Sequence, residues 1–231
     1  MRNQPVNFLN LRCAALAAVF IGALVATGCA QTIQSQAYRA LQERREPIHK
    51  IAVAPFSARL SSSRAGAISE HLAAGDVVLM GRYVSESLGE QGLAVVAPAD
   101  VERVQQSVTP PVAAGGGTAL SAGASRALAR AVWESFGADA LLVGQVHRFR
   151  ERVGEALGAT RPASVGFEVT LYSAPDGEKL WTAVFDETQQ SMSENVFVTS
   201  RYPSGGSRWL SAEELARWGS QELARALPTG P

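Results

Sequence analysis

From residue 165 the chain alternates apolar and polar side chains without a break. Val165, Phe167, Val169 and Leu171 are interleaved with Gly166, Glu168, Thr170 and Tyr172. A period of two is the signature of a half-buried β-strand. Ala174-Pro175-Asp176-Gly177 comes next, with proline, aspartate and glycine each where a tight turn uses them. Lys179–Thr188, carrying Trp181, Val184 and Phe185, then reads as the returning strand of a hairpin. Whatever else the chain builds, one layer of it is a sheet.

The segments before the hairpin set the kind of sheet. Ile51-Ala52-Val53-Ala54-Pro55-Phe56 and Leu93-Ala94-Val95-Val96 are short continuous apolar runs, as expected of strands buried on both faces. Residues 57–68, rich in Ser, Ala and Arg, read as loop. Between the two runs the spacing predicts a helix over about 69–90, because Val77, Met80, Gly81, Val84 and Leu88 share one face. Pro98 and Asp100 open a short helix to about 106. Residues 107–123 hold two prolines and three consecutive glycines and read as a loop. Neither a Gly-Lys-Ser/Thr nor a GxGxxG spacing makes them a phosphate cradle.

Ser125–Phe136 is a helix stopped by Gly137. Ala140–Arg152 is a strand with Leu141, Val143 and Phe149 on one face, and 153–162 is a connection. Ser211-Ala212-Glu213-Glu214 is a capping box that opens a last helix with Leu215, Trp218 and Leu223 inward. This order predicts an α/β domain, a mixed sheet of about five strands flanked by helices.

The first 28 residues have a different purpose. Arg2 and Arg12 precede an apolar run at 13–26, and Thr27-Gly28-Cys29 ends it with small residues and a thiol. That is the layout of a secretory signal helix, too short to remain as a comfortable membrane span. Val25-Ala26-Thr27-Gly28-Cys29 resembles the lipobox of bacterial lipoproteins, with Ala26 where leucine is usual. The resemblance implies cleavage before Cys29, acyl chains on that residue and a membrane anchor. Ala30, where enteric-type lipoproteins retained in the inner membrane carry aspartate, implies the periplasmic face of the outer membrane. The expected organisation is therefore a signal at 1–28, a lipidated cysteine and tether at 29–48, and one periplasmic domain at 49–227. Fully extended, residues 30–47 would reach about 60 Å at roughly 3.4 Å per residue.

Cysteine usage agrees. Cys13 leaves with the signal, so the mature chain has neither a disulfide nor a free thiol nucleophile. The balance of 21 basic and 21 acidic residues loses Arg2 and Arg12, so the net charge moves from 0 to −2. No basic stripe points to nucleic acid.

His49, His71 and His147 lack the spacing of a zinc site, no GxSxG elbow occurs, and no cofactor motif is present. No catalytic or metal-binding residue is therefore assigned. Asp186 and Glu187 are adjacent in a strand and point to opposite faces, so they do not form an acid–base pair. The one dispersed grouping that merits a test is His147, Glu168 and Asp186, which would make the chain a hydrolase if they converged.

Two stretches read as partner-binding. Arg148, Arg150 and Arg152 flank Phe149 at the end of a strand, and arginine and aromatics are enriched at interfaces. Residues 185–210, which begin Phe185-Asp186-Glu187-Thr188-Gln189-Gln190 and lose all periodicity from 189, carry Phe197, Tyr202, Arg208, Trp209 and several amides. Such a stretch is either a long connection packed on the core or a recognition surface.

The strand KIAVAPF, the later ADALLVGQV and the hairpin FEVTLYSAPDGEKLWTAVFDE resemble periplasmic lipoproteins with a TolB N-terminal type of α/β domain. LpoB and CsgG belong to this group, and FDETQQSMSENVF and RWLSAEELARWG are closer to an uncharacterised group of bacterial lipoproteins. The resemblance implies a non-enzymatic envelope protein, attached to the membrane through Cys29, that binds an envelope protein or assists assembly. A subunit of an oligomeric secretion or pore assembly is the alternative, with self-association as its consequence.

Overall fold

The computed structural model describes residues 32–59, 72–108, 120–190 and 201–230. Cys29, His71, the Gly115–Gly117 run and Phe197 lie outside them. The elements are β1 (Ile33–Ala37), α1 (Arg39–Glu43), β2 (Lys50–Val53), β3 (Ser57–Ala58), α2 (Ala74–Glu90), β4 (Ala94–Val96), α3 (Pro98–Val108), α4 (Ala122–Phe136) and β5 (Ala140–Arg150). After these come β6 (Val153–Glu155), β7 (Gly158–Arg161), β8 (Ser164–Ser173), β9 (Lys179–Thr188), a 3-10 turn (Pro203–Gly206) and α5 (Ala212–Ala226).

The fold is α/β. Seven strands form one sheet in the order β1-β9-β8-β5-β2-β4, with β3 beside the far end of β5. β2 pairs in parallel with β4 and β5, while β5, β8, β9 and β1 pair antiparallel. The parallel part is the apolar part. Ile51, Ala52 and Val53 are all fully buried because helices cover both faces there.

One face carries the larger core. Ile51, Val53, Leu142, Phe167 and Phe185 meet Met80, Val84 and Leu88 of α2 and Leu215 and Leu223 of α5. The other face carries a smaller one, where Ala52, Leu141 and Val143 meet Val101 of α3 and Leu128 and Val132 of α4. The positions read as inward from helical spacing are inward. Ser121 caps α4 by accepting from the Ala124 amide at 3.2 Å, and Gly137 ends it in the left-handed region with φ +59°. Asp139 then accepts the amides of His49 and Lys50, each at 2.8 Å, which fixes the start of β2 against the start of β5.

β4, expected as a strand buried on both faces, is the outer edge of the sheet, with Ala94 exposed and Val95 and Val96 half-buried, and Ser57–Ala58, expected as loop, form β3. Three further features differ from the sequence expectation. Residues expected as a tether with a helical turn near Tyr38–Arg45 have that turn as α1 but also form the strand β1, and the compact unit begins at Thr32. β1 adds to the sheet edge by pairing Ile33 to Ala37 with Phe185 to Trp181, and only Ile33 of its five side chains is buried. Its membership rests on backbone bonds, which leave no period in the sequence. Residues 153–162, expected as a connection, form the small hairpin β6–β7, joined Val153 to Arg161 and Glu155 to Gly158. Third, a bulge between Val146 and Arg148 inserts one residue into β5. Phe149 therefore packs on the larger core opposite Val165, on the face away from Leu141 and Val143.

Phe56 lies across β5 where Gly144 leaves room. A Cβ on Gly144 would stand 2.2 Å from the Phe56 ring. Gly144→Ala is expected to cost about 2 kcal/mol by overpacking, read as a lower urea midpoint with an unchanged slope.

Candidate partner-binding surface

The end of the sheet where β5 and β9 finish and β8 begins gathers the candidate residues. Arg148 stands opposite Gly166, which in turn faces Asp186 of β9, and Arg150 stands opposite Ser164. Arg148 donates to Asp186 Oδ1, and His147 Nε2 lies 3.6 Å from Asp186 Oδ2. Gly166 makes this possible, since a Cβ there would be 2.3 Å from His147 Nε2. Arg152 turns back over the hairpin, its Nε donating to the Gly154 carbonyl at 3.3 Å.

His147, Glu168 and Asp186 share one face of the sheet, but each carboxylate holds an arginine. Asp186 holds Arg148, and Glu168 Oε2 accepts from Arg59 at 2.7 Å. Glu168 stands opposite Gln145, and the bulge carries His147 past it to Asp186. The result is an ion-pair network on a partly exposed sheet face.

The stretch 201–210 is pinned to the core from below. Glu187 points inward, 9% exposed. Its Oε1 accepts from Tyr202 Oη and from Arg201, both at 2.5 Å. Tyr202 is 2% exposed and meets the Trp218 ring edge-on at 5.2 Å. Burial first, and then the bond to Glu187, push its phenol up to about 12. Gln189 holds the next part, donating to the Arg208 carbonyl at 2.8 Å and accepting from the Leu210 amide at 2.7 Å. Arg208 makes two bonds to Glu214, at 2.8 and 2.6 Å. Trp209 is half-buried, and its amide donates to the Ala156 carbonyl at 2.7 Å, so this stretch and the β6–β7 turn are joined.

The candidates thus divide. Arg148, Arg150, Arg152, Arg208 and Trp209 lie at this end with side chains at least partly accessible. Tyr202 faces inward and fixes the backbone that carries Arg208 and Trp209. Glu187 and Gln189 lie in the stretch read as a recognition surface, but the sequence reading gave neither an inward, pinning role. The signal for that role was parity, since Glu187 occupies the inward phase set by Trp181 and Phe185. Among the described residues, no group of three or more His, Cys, Asp or Glu is placed to hold a metal ion, and no helix is long and apolar enough to cross a membrane.

No family model and no curated protein matches the chain. Among solved structures it is similar to a PelC dodecamer from Paraburkholderia phytofirmans, at 13% identity over 87% of this chain and 99% of that one, with a TM-score of 0.46. It is also similar to the lipoprotein GNA1162 from Neisseria meningitidis, at 18% identity, 62% and 82% coverage and a TM-score of 0.39. The LpoB C-terminal domain from Salmonella enterica follows at 15% identity, 65% and 91% coverage and a TM-score of 0.38.

Two measurements test the pinning. Glu187→Ala removes the acceptor of both Arg201 and Tyr202 and is expected to cost about 2 kcal/mol, with Tyr202→Phe costing about half of that. Both are read from urea unfolding, with faster amide exchange at Leu210 in Glu187→Ala. The Arg208 bonds hold Glu214 at about 2 against an ordinary 4.5. Its charged form is favoured in the folded chain, so that contribution is complete above 4.5 and is lost as pH falls toward 2. Glu214→Gln is expected to flatten the fall in stability across this window. The LpoB type that the sequence resembles thus stands among the solved structures to which the chain is similar.

Proposed function

We propose that the protein is a lipid-anchored component of the bacterial cell envelope. It is held at the periplasmic face of the outer membrane through Cys29 and acts by binding an envelope protein, without catalysis. The lipobox-like sequence supports the anchor. The observation that carries the binding role is the row Arg148, Arg150 and Arg152 at the end of β5, beside a stretch fixed in place by Glu187 and Gln189. A rigid polar surface set with arginine and tryptophan suits protein recognition, because little side-chain or loop ordering remains to be done on binding. The ion pairs of Asp186 and Glu168 with Arg148 and Arg59 favour this reading over a hydrolase, since each carboxylate is already engaged by a different arginine.

A photo-crosslinking residue placed at 150 or 209 in the full chain, in cells of the native host, is expected to yield one discrete adduct. The same residue at Arg130, exposed on α4, is expected to yield none. Equal yields at all three positions would remove the assignment. An adduct at twice the mass of the chain would assign the surface to self-association. The anchor is checked separately by the mass of the mature N-terminal peptide and by loss of membrane association in Cys29→Ala.

A further inference from the structure

β1 changes what an anchor at Cys29 would mean. Cys29 is four residues ahead of Ile33, so the two Cα atoms are no more than about 14 Å apart. β1 runs antiparallel to β9, with Ile33 opposite Phe185. The chain therefore enters β1 from the end of the sheet at which β9 finishes, β8 begins and β5 runs into β6. From Phe185 to Thr188, the last residue of β9, is about 10 Å of strand. A bilayer that holds Cys29 thus lies against this end of the domain or beside the β1 edge, and the 60 Å reach of a tether is absent.

This end carries the β6–β7 hairpin, which the fold itself leaves without an explanation. Leu157, in its turn, is 88% exposed and is the most exposed large apolar side chain among the described residues, and Val153 is 45% exposed. One exposed leucine is ordinary on a protein surface. Leu157 is set apart by its position at the end of the sheet from which the anchoring segment emerges. Around the hairpin the chain carries Arg148, Arg150, Arg152 and Arg161 against Glu151, Glu155 and Asp186, the last paired with Arg148, which leaves one more cation than anion where an anionic lipid surface would be. Arg161 is exposed and stands opposite Val153, pairing an apolar stem with a cation in the way interfacial segments do.

We infer that the β6–β7 hairpin is a membrane contact: Leu157 and Val153 enter the bilayer interface and Arg161 beside them meets an anionic phospholipid headgroup. The inference rests on the Cys29 anchor proposed above. Two apolar side chains expose too little area to bind a membrane unaided, so the hairpin orients a domain that the acyl chains already hold. It also leaves the row Arg148, Arg150 and Arg152 at the rim of the contact, where a partner in the same membrane would be met.

The test uses the full-length protein purified from membranes and reconstituted in vesicles of phosphatidylethanolamine with a minority of phosphatidylglycerol. Cys29 is the only cysteine after the signal, and lipid blocks its sulfur, so an introduced cysteine takes a nitroxide label alone. Labels are placed in Leu157→Cys, Gln36→Cys on the β1 edge, and Arg130→Cys on α4. Collision with oxygen, which concentrates in lipid, is expected to exceed collision with a polar nickel reagent several-fold at position 157, with the order reversed at 36 and 130. A label at 157 as water-accessible as that at 130, in protein whose N-terminal peptide carries the lipid mass, overturns the hairpin contact and leaves the anchor standing. A lipid-exposed label at 36 with an aqueous one at 157 overturns it in favour of the β1 edge. An N-terminal peptide without lipid overturns the anchor, and this inference with it, through the mass spectrum alone.

Discussion

β9 sends Trp181, Ala183, Phe185 and Glu187 to one face of the sheet and Thr182, Val184 and Asp186 to the other, and the rest of the molecule is arranged around that division. On the inner side Phe185 stacks on Phe167 at 5.2 Å and meets the edge of Trp218 at 5.8 Å. α5 comes this close because Gly219 has no side chain; a Cβ there would stand 2.8 Å from the Phe185 ring. The same helix holds Glu213, which accepts from Tyr83 of α2, so the two helices on this face are tied to each other as well as to the sheet. Arg217 lies over the Tyr83 ring at 4.4 Å, where a cation is favoured by the ring face.

The division also sorts two adjacent acids. Glu187 is taken into the core, where Arg201 pairs with it and Tyr202 donates a hydrogen bond to it, while Asp186 stays at the surface with His147 and Arg148. An inward carboxylate is costly unless it is bonded. Its bonds here reach across sequence to residues 201 and 202, so the acid helps to fix the conformation of residues 201–210. That stretch in turn offers Arg208 and Trp209 at the surface. Packing on the core and presenting a surface are therefore two aspects of the same segment.

How much of this was legible depended on whether an element announces itself through side chains. β8, β9, α2, α4 and α5 do so, because each buries a face with a regular period, and Leu128, Val132, Leu215 and Leu223 lie where that period puts them. β1 does not, since Gln34, Ser35 and Gln36 are exposed and the strand is held by its backbone. β6 and β7 are short, glycine-containing and exposed, so no apolar pattern marks them. The bulge at His147 is equally silent, yet it decides the side of the sheet on which Phe149 lies. For the candidate surface, the arginines were legible as a charge cluster. The pinning role of Glu187 and Gln189 was not, because it lies in contacts with residues 14 to 21 positions away.

The placement of β1 has a mechanical side. Its five residue pairs with β9 run from Ile33–Phe185 to Ala37–Trp181. A pull on the chain ahead of Ile33, directed out of the end of the sheet, acts along the strand axis. The hydrogen bonds of the pair then bear the load together, in shear, and do not open one after another from the end. Behind β1, Tyr38 adds a backbone bond to Leu180 at 2.9 Å. The edge of the sheet nearest the chain's N-terminal segment is thus joined in the geometry that best resists being drawn off the domain, and a sideways pull on the same residues would meet only one bond at a time.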